Sequence, residues 1–547
     1  MNPRGNSLPG RAVRASARPR NVAAVVAVAT AAAPFAAASM PDDVCWPMTG
    51  GDGLRAGVTA AAGADELPAA WTVSADLQGR AITFIGPSAV VCSVDAVMAL
   101  GWVMNGPQKQ HFLYAIERGS GAIRWAAGVA APSADSWSAP VIDAANGTVI
   151  TTTGKTVAAF DIVTGAARWT RVLGRNIVNA SALVTTDLGV SNRLFITQFD
   201  GFGEAGLLTC INVDPRLGIA NPHDPGEVVW TAAIGGSSGN SPAYADGVVY
   251  CSSIGQVFAA GQVQAFDARS ETAPSPIWTA VVPDHGFYGG VSVSADPEGL
   301  FLYAASYAFE GGIDAARLLK LDALTGEVVW ATPCNRTAST PVVLGDGRIV
   351  VSGGVWGYGT VPSVEIFVDE GASVSRAWHS VLDTWADDGD EWIEEGEFLA
   401  LGGWSHLPVV AGGGRWLLAG AIAPSASIGS AYAELFRIDL DLLPPLGTPS
   451  GPADRSFITA HAGLSGSSPA VADGNVYSIG SGGLRAFGVR TPAADVSGDG
   501  VVDIEDLYWW TQGRGARDVD GSGVIDEADR AALEQRVRRG ELEDRRR

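Results

Sequence analysis

A short motif recurs along the chain and limits the folds that are open to it: an apolar residue and an acid, a turn, and then a tryptophan. Strong and weaker copies occupy six stretches, at 115–125, 159–169, 212–230, 265–278, 320–330 and 364–378. In the two clearest copies, Thr164-Gly165 and Thr325-Gly326 stand between the acid and the tryptophan. An Asp that accepts hydrogen bonds from nearby amides and a Gly that can take a positive φ fit a β-hairpin. The sequence therefore predicts an array of similar β units.

A second signature, Ser-Pro or Ser-x-Pro before an apolar strand, precedes the motif, as at Ser138, Ser241 and Ser468. Repeats of about 40–50 residues are typical of propeller blades. Six tryptophans close six blades: 125, 169, 230, 278, 330 and 378. A divergent seventh blade includes 435–439 and 457–458, and the last unit, 468–489, lacks its tryptophan strand.

The strand predicted at 70–73 is not preceded in the sequence by the other strands that a blade would need. We expect it to complete the last blade, which would close the ring and leave no exposed sheet edge. The fold class predicted is therefore all-β, an eight-bladed β-propeller, with seven blades as the alternative.

Residues 1–38 predict an export signal peptide, because five arginines precede an apolar run from Val22 to Ala38 that ends in three alanines. That run is shorter than the ~20 residues of a spanning helix, so we expect no membrane span and a secreted or cell-envelope protein.

A net charge of −22 argues against nucleic-acid binding. Export permits disulfides, but the five cysteines do not reveal their pairing. We assign 39–63 to an N-terminal extension and 64–490 to the propeller.

Beyond a linker at 491–494, residues 495–540 contain two loops with the same spacing of oxygen side chains, and 541–547 form a charged tail. Positions 1, 3, 5, 9 and 12 supply side-chain oxygens, position 6 is Gly, and position 7 supplies a carbonyl, which suits the oxygen ligands that calcium prefers. The predicted ligands of two calcium ions are Asp495, Ser497, Asp499, Val501, Asp503 and Asp506, and then Asp518, Asp520, Ser522, Val524, Asp526 and Asp529.

The Ala-Phe-Asp-x-x-Thr-Gly-x-x-x-Trp motif at 159–169 resembles the PQQ-like, or quinoprotein-type, propeller repeat, and the opening from Trp46 to Gly57 also looks like that of secreted and outer-membrane assembly members. This resemblance covers 42–490. For a dehydrogenase it implies a quinone stacked on a tryptophan, an adjacent Cys-Cys disulfide and a calcium ion. No two cysteines are adjacent here, so we expect no bound PQQ and name no catalytic or cofactor-binding residue. The tryptophans are interpreted as packing residues between blades.

The tail resembles a type I dockerin domain, because Asp stands at position 12 where an ordinary EF-hand has Glu. The resemblance implies a small α-helical calcium-binding module with a helix after each loop and a protein partner such as a cohesin. It places the recognition positions at Ile504-Glu505 and Glu527-Ala528.

The function predicted is a secreted, non-catalytic binding or scaffold protein. Its propeller would bind protein or glycan, and its tail would dock in the presence of calcium. The alternative is an extracellular enzyme, either a quinone-dependent oxidoreductase or a carbohydrate-active protein of polysaccharide degradation. An acidic insertion at 383–397 is either a solvated loop or a functional face.

Overall fold

The computed structural model describes most of the chain from residue 45 onward. The described residues are 45–61, 63–86, 88–93, 95–133, 136–199, 206–256, 260–309, 311–356, 360–386, 397–422, 432–447, 455–472, 474–488, 504–512 and 527–544.

Eight antiparallel sheets form the blades, which are numbered here in chain order. Blade 1 contains β2 (Thr83–Phe84), β3 (Val91–Cys92), β4 (Ala96–Asn105), β5 (Gln108–Glu117) and β6 (Ile123–Gly128). Blade 2 contains β7 (Val141–Asp143), β8 (Thr148–Thr153), β9 (Thr156–Asp161) and β10 (Ala167–Val172). Blade 3 contains β11 (Leu183–Val184), β12 (Arg193–Gln198), β13 (Gly206–Asn212) and β14 (Val228–Gly235). Blade 4 contains β15 (Ala243–Ala245), β16 (Val248–Gln256), β17 (Ala260–Asp267) and β18 (Trp278–Pro283).

The second half of the ring repeats this order. Blade 5 contains β19 (Val291–Asp296), β20 (Gly299–Ala305), β21 (Ala316–Asp322) and β22 (Val328–Cys334). Blade 6 contains β23 (Val342–Val343), β24 (Arg348–Gly353), β25 (Ser363–Asp369) and β26 (Val374–His379). Blade 7 contains β27 (Val409–Ala411), β28 (Trp416–Ile422), β29 (Tyr432–Asp439) and β30 (Ile458–Gly463). Blade 8 contains β31 (Ser467–Ala472), β32 (Asn475–Gly480), β33 (Gly483–Phe487) and, from the other end of the propeller sequence, β1 (Ala69–Val73).

The ring closes through β1, which pairs antiparallel with β33 and places Trp71 opposite Ala486. The predicted completion of the last blade by an N-terminal strand is confirmed, and the fold is an all-β eight-bladed propeller. The seven-bladed alternative is wrong, because the divergent unit from Val409 to Gly463 forms a full four-stranded sheet.

Tryptophans on the outer strands join neighbouring blades, as the sequence predicted. The Nε1 of Trp71 donates to the carbonyl of Arg118 at 2.7 Å, and the Nε1 of Trp278 donates to that of Ala323 at 2.9 Å. Each acceptor lies in a hairpin turn of the next blade. The indole thus combines a large buried apolar area with a satisfied donor, which fixes the spacing between the two sheets.

The Ser-x-Pro signature also joins blades, close to the axis. The amide of Ser181 donates to Ser241 Oγ at 2.9 Å, and the amide of Ala139 donates to Oγ of Ser181, which takes the same place in blade 3 without a following proline, also at 2.9 Å. The amide of Leu407 donates to Ser468 Oγ at 3.0 Å. The serine before an inner strand therefore satisfies a backbone donor of the preceding blade, while the proline, which has no N–H, needs no partner at the point where the strand begins.

Two α-helices follow in the tail, α1 (Ile504–Thr511) and α2 (Glu527–Asp544). They pack on one another through Leu533 and Val537 of α2 and Leu507, Trp509 and Trp510 of α1. Neither of these described helices is long and apolar enough to cross a membrane.

Candidate functional site

The segment 45–61, which we call the axial segment, runs past the inner strands of the blades. Trp46 exchanges two backbone hydrogen bonds of 2.9 Å with Cys92 of blade 1. Carbonyls of the segment then accept hydrogen bonds from successive blades: Pro47 from Ile142, Gly53 from Tyr244, Leu54 from Val293, Ala56 from Val343, and Gly57 from Val410. These donors belong to blades 2, 4, 5, 6 and 7 in that order. The segment therefore lines the central channel.

Arg55 anchors the axial segment to blade 3, which these backbone bonds leave out, and to the entry of blade 4. Its side chain is fully buried and donates to the carbonyls of Ser181, Ala182 and Pro242 at 2.9, 2.9 and 3.0 Å. Burial lowers the pKa of Arg55 to about 10, and the Asp52 carboxylate opposes that shift. In the sequence, Trp46, Arg55 and Gly57 are singled out only by a family resemblance. No other feature of the sequence predicts that these residues line the channel.

Five aromatic side chains, which we call the axial aromatic cluster, gather at the end of the central channel where the chain enters the inner strands. They are Trp137, Tyr288, Tyr307, Phe309 and Trp404. Trp137 leads into blade 2 and Trp404 into blade 7, yet their ring centroids are 5.6 Å apart. Since three steps around the ring separate these blades, the two rings meet across the axis. Tyr307, between β20 and β21, lies 5.7 Å from Trp404.

The polar groups beside this cluster are held by the backbone. Arg336 is fully buried and donates to the carbonyls of Phe309 and Gly311, both at 2.9 Å, which fixes the loop that displays Phe309. His406 is buried, and burial lowers its pKa to about 3, so the ring is neutral and its Nε2 accepts from the Gly420 amide at 3.0 Å. Phe309 remains 47% exposed. The cluster thus presents a rigid, partly exposed aromatic surface.

The acidic insertion begins in the connection that also carries Trp404. Asp383 is buried, and its two oxygens accept from the amides of His379 and Gly447 at 2.7 and 2.9 Å. Trp385 Nε1 donates to Glu397 Oε2 at 2.9 Å. The beginning of the insertion is therefore pinned to the propeller and its end to its own beginning, and residues 387–396 lie outside the described residues.

Two of the twelve predicted calcium ligands belong to the described part of the tail. Asp506 lies in the first turn of α1 and Asp529 in the first turn of α2, and both side chains are fully buried. The other ten lie outside the described residues: Asp495, Ser497, Asp499, Val501, Asp503, Asp518, Asp520, Ser522, Val524 and Asp526. Of the predicted recognition positions, Ile504, Glu505 and Glu527 are exposed, and Ala528 lies in α2.

The cysteines do not form the arrangement that a quinone-dependent dehydrogenase implies. Cys92, Cys210, Cys251 and Cys334 are buried thiols on strands of four different blades. Burial raises the pKa of Cys92 to about 12, so its thiol stays protonated. Within the described ranges, no group of three or more His, Cys, Asp or Glu side chains is placed to hold a metal ion.

This chain is similar to several solved structures, at TM-scores below 0.5. No family model and no curated protein matches it. Among solved structures, BamB from Moraxella catarrhalis is similar at a TM-score of 0.44 and 16% identity, covering 77% of this chain and 96% of that one. Quinohemoprotein alcohol dehydrogenase from Comamonas testosteroni is similar at a TM-score of 0.47 and 11% identity, and the match covers 82% of this chain and 78% of that one. Hydrazine synthase from Kuenenia stuttgartiensis is similar at a TM-score of 0.39 and 11% identity, and the match covers 74% of this chain and 96% of that one. At such identities the similarity concerns the fold and not the site residues.

Proposed function

We propose that this is an exported, non-catalytic binding protein whose propeller holds a protein or glycan partner and whose tail docks to a protein in the presence of calcium. The observation that carries the proposal is the burial of Asp506 and Asp529 at the beginning of the two tail helices. Both aspartates occupy position 12 of a loop whose other oxygen residues follow the same spacing.

Burial of a carboxylate is costly unless a cation or several donors compensate its charge. Calcium fits this requirement, because it is a hard cation that binds carboxylate, hydroxyl and carbonyl oxygens together. The residues that would hold the first ion are Asp495, Ser497, Asp499, Val501, Asp503 and Asp506, and those that would hold the second are Asp518, Asp520, Ser522, Val524, Asp526 and Asp529. The ion would neutralise the carboxylates that crowd each loop.

The exposed side chains at the beginning of α1 and α2 are the proposed contacts with the docking partner. Ile504 is 61% exposed although it is a large aliphatic residue, and Glu505 and Glu527 are exposed beside the same buried aspartates. Calcium would therefore set the position of this contact surface. The propeller would contribute a second, independent binding function through its rigid loops.

A recruitment experiment tests the docking part. The mature chain is immobilised and offered the secreted fraction of its source, with calcium or with a calcium chelator. We expect a set of partners that is lost with chelator, is lost from the Asp506→Asn, Asp529→Asn double variant, and is kept by the conservative surface variant Glu327→Gln. Partners that bind equally in chelator would contradict calcium-dependent docking.

A second measurement separates this proposal from the alternative of an extracellular enzyme. The purified chain is mixed with PQQ and calcium, and its absorbance and its oxidation of alcohols and sugars are followed. The proposal expects no stoichiometric complex, because the adjacent cysteines of the dehydrogenase arrangement are missing from the sequence. A tight complex that oxidises either substrate class would overturn the non-catalytic assignment.

A further inference from the structure

A cavity of about 280 Å³ lies between blades 3 and 4, on the face opposite the axial aromatic cluster. Its walls come from the turn between β11 and β12 and from the residues that follow β17. The lining residues are Asp187, Leu188, Ser191, Arg193, Ala268 and Arg269. Ligand pockets commonly enclose about 300–1,000 Å³. This cavity is therefore of a size for a ligand of one small ring.

Arg193 is the buried charged group of the cavity, and three neighbours hold it in place. Its side chain is only 2% exposed, and Nη2 lies 3.0 Å from Glu271 Oε1. Nη1 donates to Asn212 Oδ1 at 2.5 Å and to the carbonyl of Asn192 at 3.4 Å. Because these contacts occupy the two terminal nitrogens, the guanidinium cannot swing toward solvent. Its orientation in the cavity wall is set before any ligand arrives.

The two exposed charges of the cavity are also positioned by partners. Asp187 Oδ1 accepts from the Tyr244 hydroxyl at 2.6 Å, and Arg269 Nη1 donates to the carbonyl of Asp246 at 3.0 Å. Gly247 makes room for this second guanidinium, since a Cβ there would stand 1.4 Å from Arg269 Nη1. A side chain larger than glycine at 247 would thus push Arg269 out of the wall.

The charges around the cavity balance. Glu271 neutralises Arg193 from behind, and Asp187 and Arg269 carry opposite charges at the rim. A site without net charge does not favour an anion or a cation. It offers one exposed planar group that only donates, the Arg269 guanidinium, together with a carboxylate that only accepts, Asp187, and the hydroxyl of Ser191. Vicinal hydroxyls of a sugar ring, each of which donates and accepts, match this set.

We propose that the cavity binds one neutral sugar ring, such as the terminal unit of a glycan. Ring hydroxyls donate to Asp187 and accept from Arg269, and the apolar face of the ring lies on Leu188, which is half-buried. Hydrogen bonds to charged groups are the stronger ones, so a few of them suffice to orient a small ligand. This inference rests on the binding role proposed for the propeller and names its ligand class.

The test is ligand-detected NMR on the full mature chain. The probes are the methyl glycosides of glucose, galactose, mannose and xylose, with glucuronate as an anionic probe of similar size and alanine as a smaller, zwitterionic probe. We expect saturation transfer to at least one neutral glycoside and none to glucuronate or alanine. Binding should be about tenfold weaker in Asp187→Asn and in Arg269→Ala, and unchanged in Asp346→Asn, which alters the corresponding turn of blade 6.

Three results would overturn the proposal: no transfer to any neutral glycoside, preference for glucuronate or alanine, or unchanged affinity in both cavity variants. Circular dichroism shows whether each variant is folded, and both altered side chains are at the surface. Repeating the titration in chelator separates this site from the tail, because the sugar affinity should not depend on calcium. Failure of calcium-dependent docking would therefore leave this result standing, and the reverse also holds.

Discussion

Gly165 lies against the indole ring of Trp125 in the preceding blade, so that a Cβ at Gly165 would stand 2.6 Å from that ring. Gly326 has the same relation to Trp278, at 2.4 Å. The glycine and the tryptophan of one sequence motif thus contact different neighbours. A blade that carries the motif therefore offers a glycine to the blade before it and a ring to the blade after it.

Gly165→Ala should destabilise the propeller more than an alanine at an open turn of similar backbone conformation. The residue has φ +71°, so alanine brings backbone strain in addition to the contact with Trp125. Gly106→Ala is the matched control, because Gly106 has φ +61° and a Cβ added there would meet nothing within 4 Å. We expect a difference in unfolding free energy of about 1–3 kcal/mol between the two variants, measured by denaturant titration. Equal losses would mean that the ring contact adds no cost.

The sequence was sufficient to predict the blade count because these contacts are local and repeated. Trp71 could be assigned to the last blade since that unit lacked only a tryptophan strand. The course of the axial segment could not be predicted, because its contacts are made once each, with partners far away in sequence. Arg55 and Pro242 illustrate this, being 187 positions apart.

Arg55→Met should loosen the axial segment without changing the outer strands. The substitution keeps an apolar stem but removes the donors for the carbonyls of Ser181, Ala182 and Pro242, at a cost of about 1–3 kcal/mol for each buried group left unpaired. Hydrogen exchange should accelerate at the inner-strand amides that bond to the segment, those of Ile142, Tyr244, Val293 and Val410.

The control for this change is Arg124→Met, which alters an exposed arginine paired with Glu117. In Arg124→Met, the hydrogen-exchange rates of the inner-strand amides should equal those of the wild type. Unchanged protection in Arg55→Met as well would show that the backbone bonds alone retain the segment.

Replacing Glu365 should change how stability depends on pH. Glu365 is fully buried, and desolvation raises its pKa to about 7 even though Arg376 Nε lies 3.0 Å from Oε2. Those two atoms are close but not aligned as a hydrogen bond, so the charge is incompletely compensated. Because the folded state favours the protonated acid, the stability contribution of Glu365 is complete below its usual pKa near 4.5 and is lost as pH rises through 7.

Glu365→Gln keeps an acceptor for the Asn335 amide, which donates to Oε1 at 2.7 Å, and removes the titration. The stability of the variant relative to the wild type should therefore increase between pH 5 and pH 8, by an amount on the order of a few kcal/mol. Thermal unfolding at several pH values measures this, with exposed Glu327→Gln as the control. A constant difference across that range would contradict the assignment.

Lys320 and Asp369 should show strong energetic coupling. Lys320 is fully buried, with Nζ 2.9 Å from Asp369 Oδ2 and 3.2 Å from Asp296 Oδ2. Asp369 also accepts from the Trp330 indole at 3.0 Å, which joins blade 5 to blade 6. Asp369→Ala should cost about 3–5 kcal/mol because it leaves a buried ammonium short of a partner.

A double-mutant cycle with Lys320→Met measures the coupling. The double variant should be less destabilised than the sum of the single variants, because removing both charges leaves neither of them unpaired. Additive losses would mean that Asp296 alone compensates Lys320.

The candidate sites were predictable to different degrees, for a physical reason. The proposed calcium loops have a sequence signal because a calcium ion would need oxygens at fixed positions in one short segment, as with Asp503 and Asp506. The cavity between blades 3 and 4 gives no such signal. Arg193 and Arg269 come from separate hairpins, and only the folded ring brings them together.

The two buried aspartates of the tail should each control one calcium site. If each completes one calcium loop, Asp506→Asn should abolish binding at the first site and leave the second, and Asp529→Asn should do the reverse, because asparagine keeps the size but loses the charge. Calorimetric titration of the full chain should count two ions in the wild type, one in each single variant and none in the double variant. Since metal binding supplies folding energy to small modules, chelator should also unfold α1 and α2 while the propeller strands persist, which circular dichroism can follow. Two ions in the double variant, or tail helices that persist in chelator, would show that the burial of Asp506 and Asp529 has another cause.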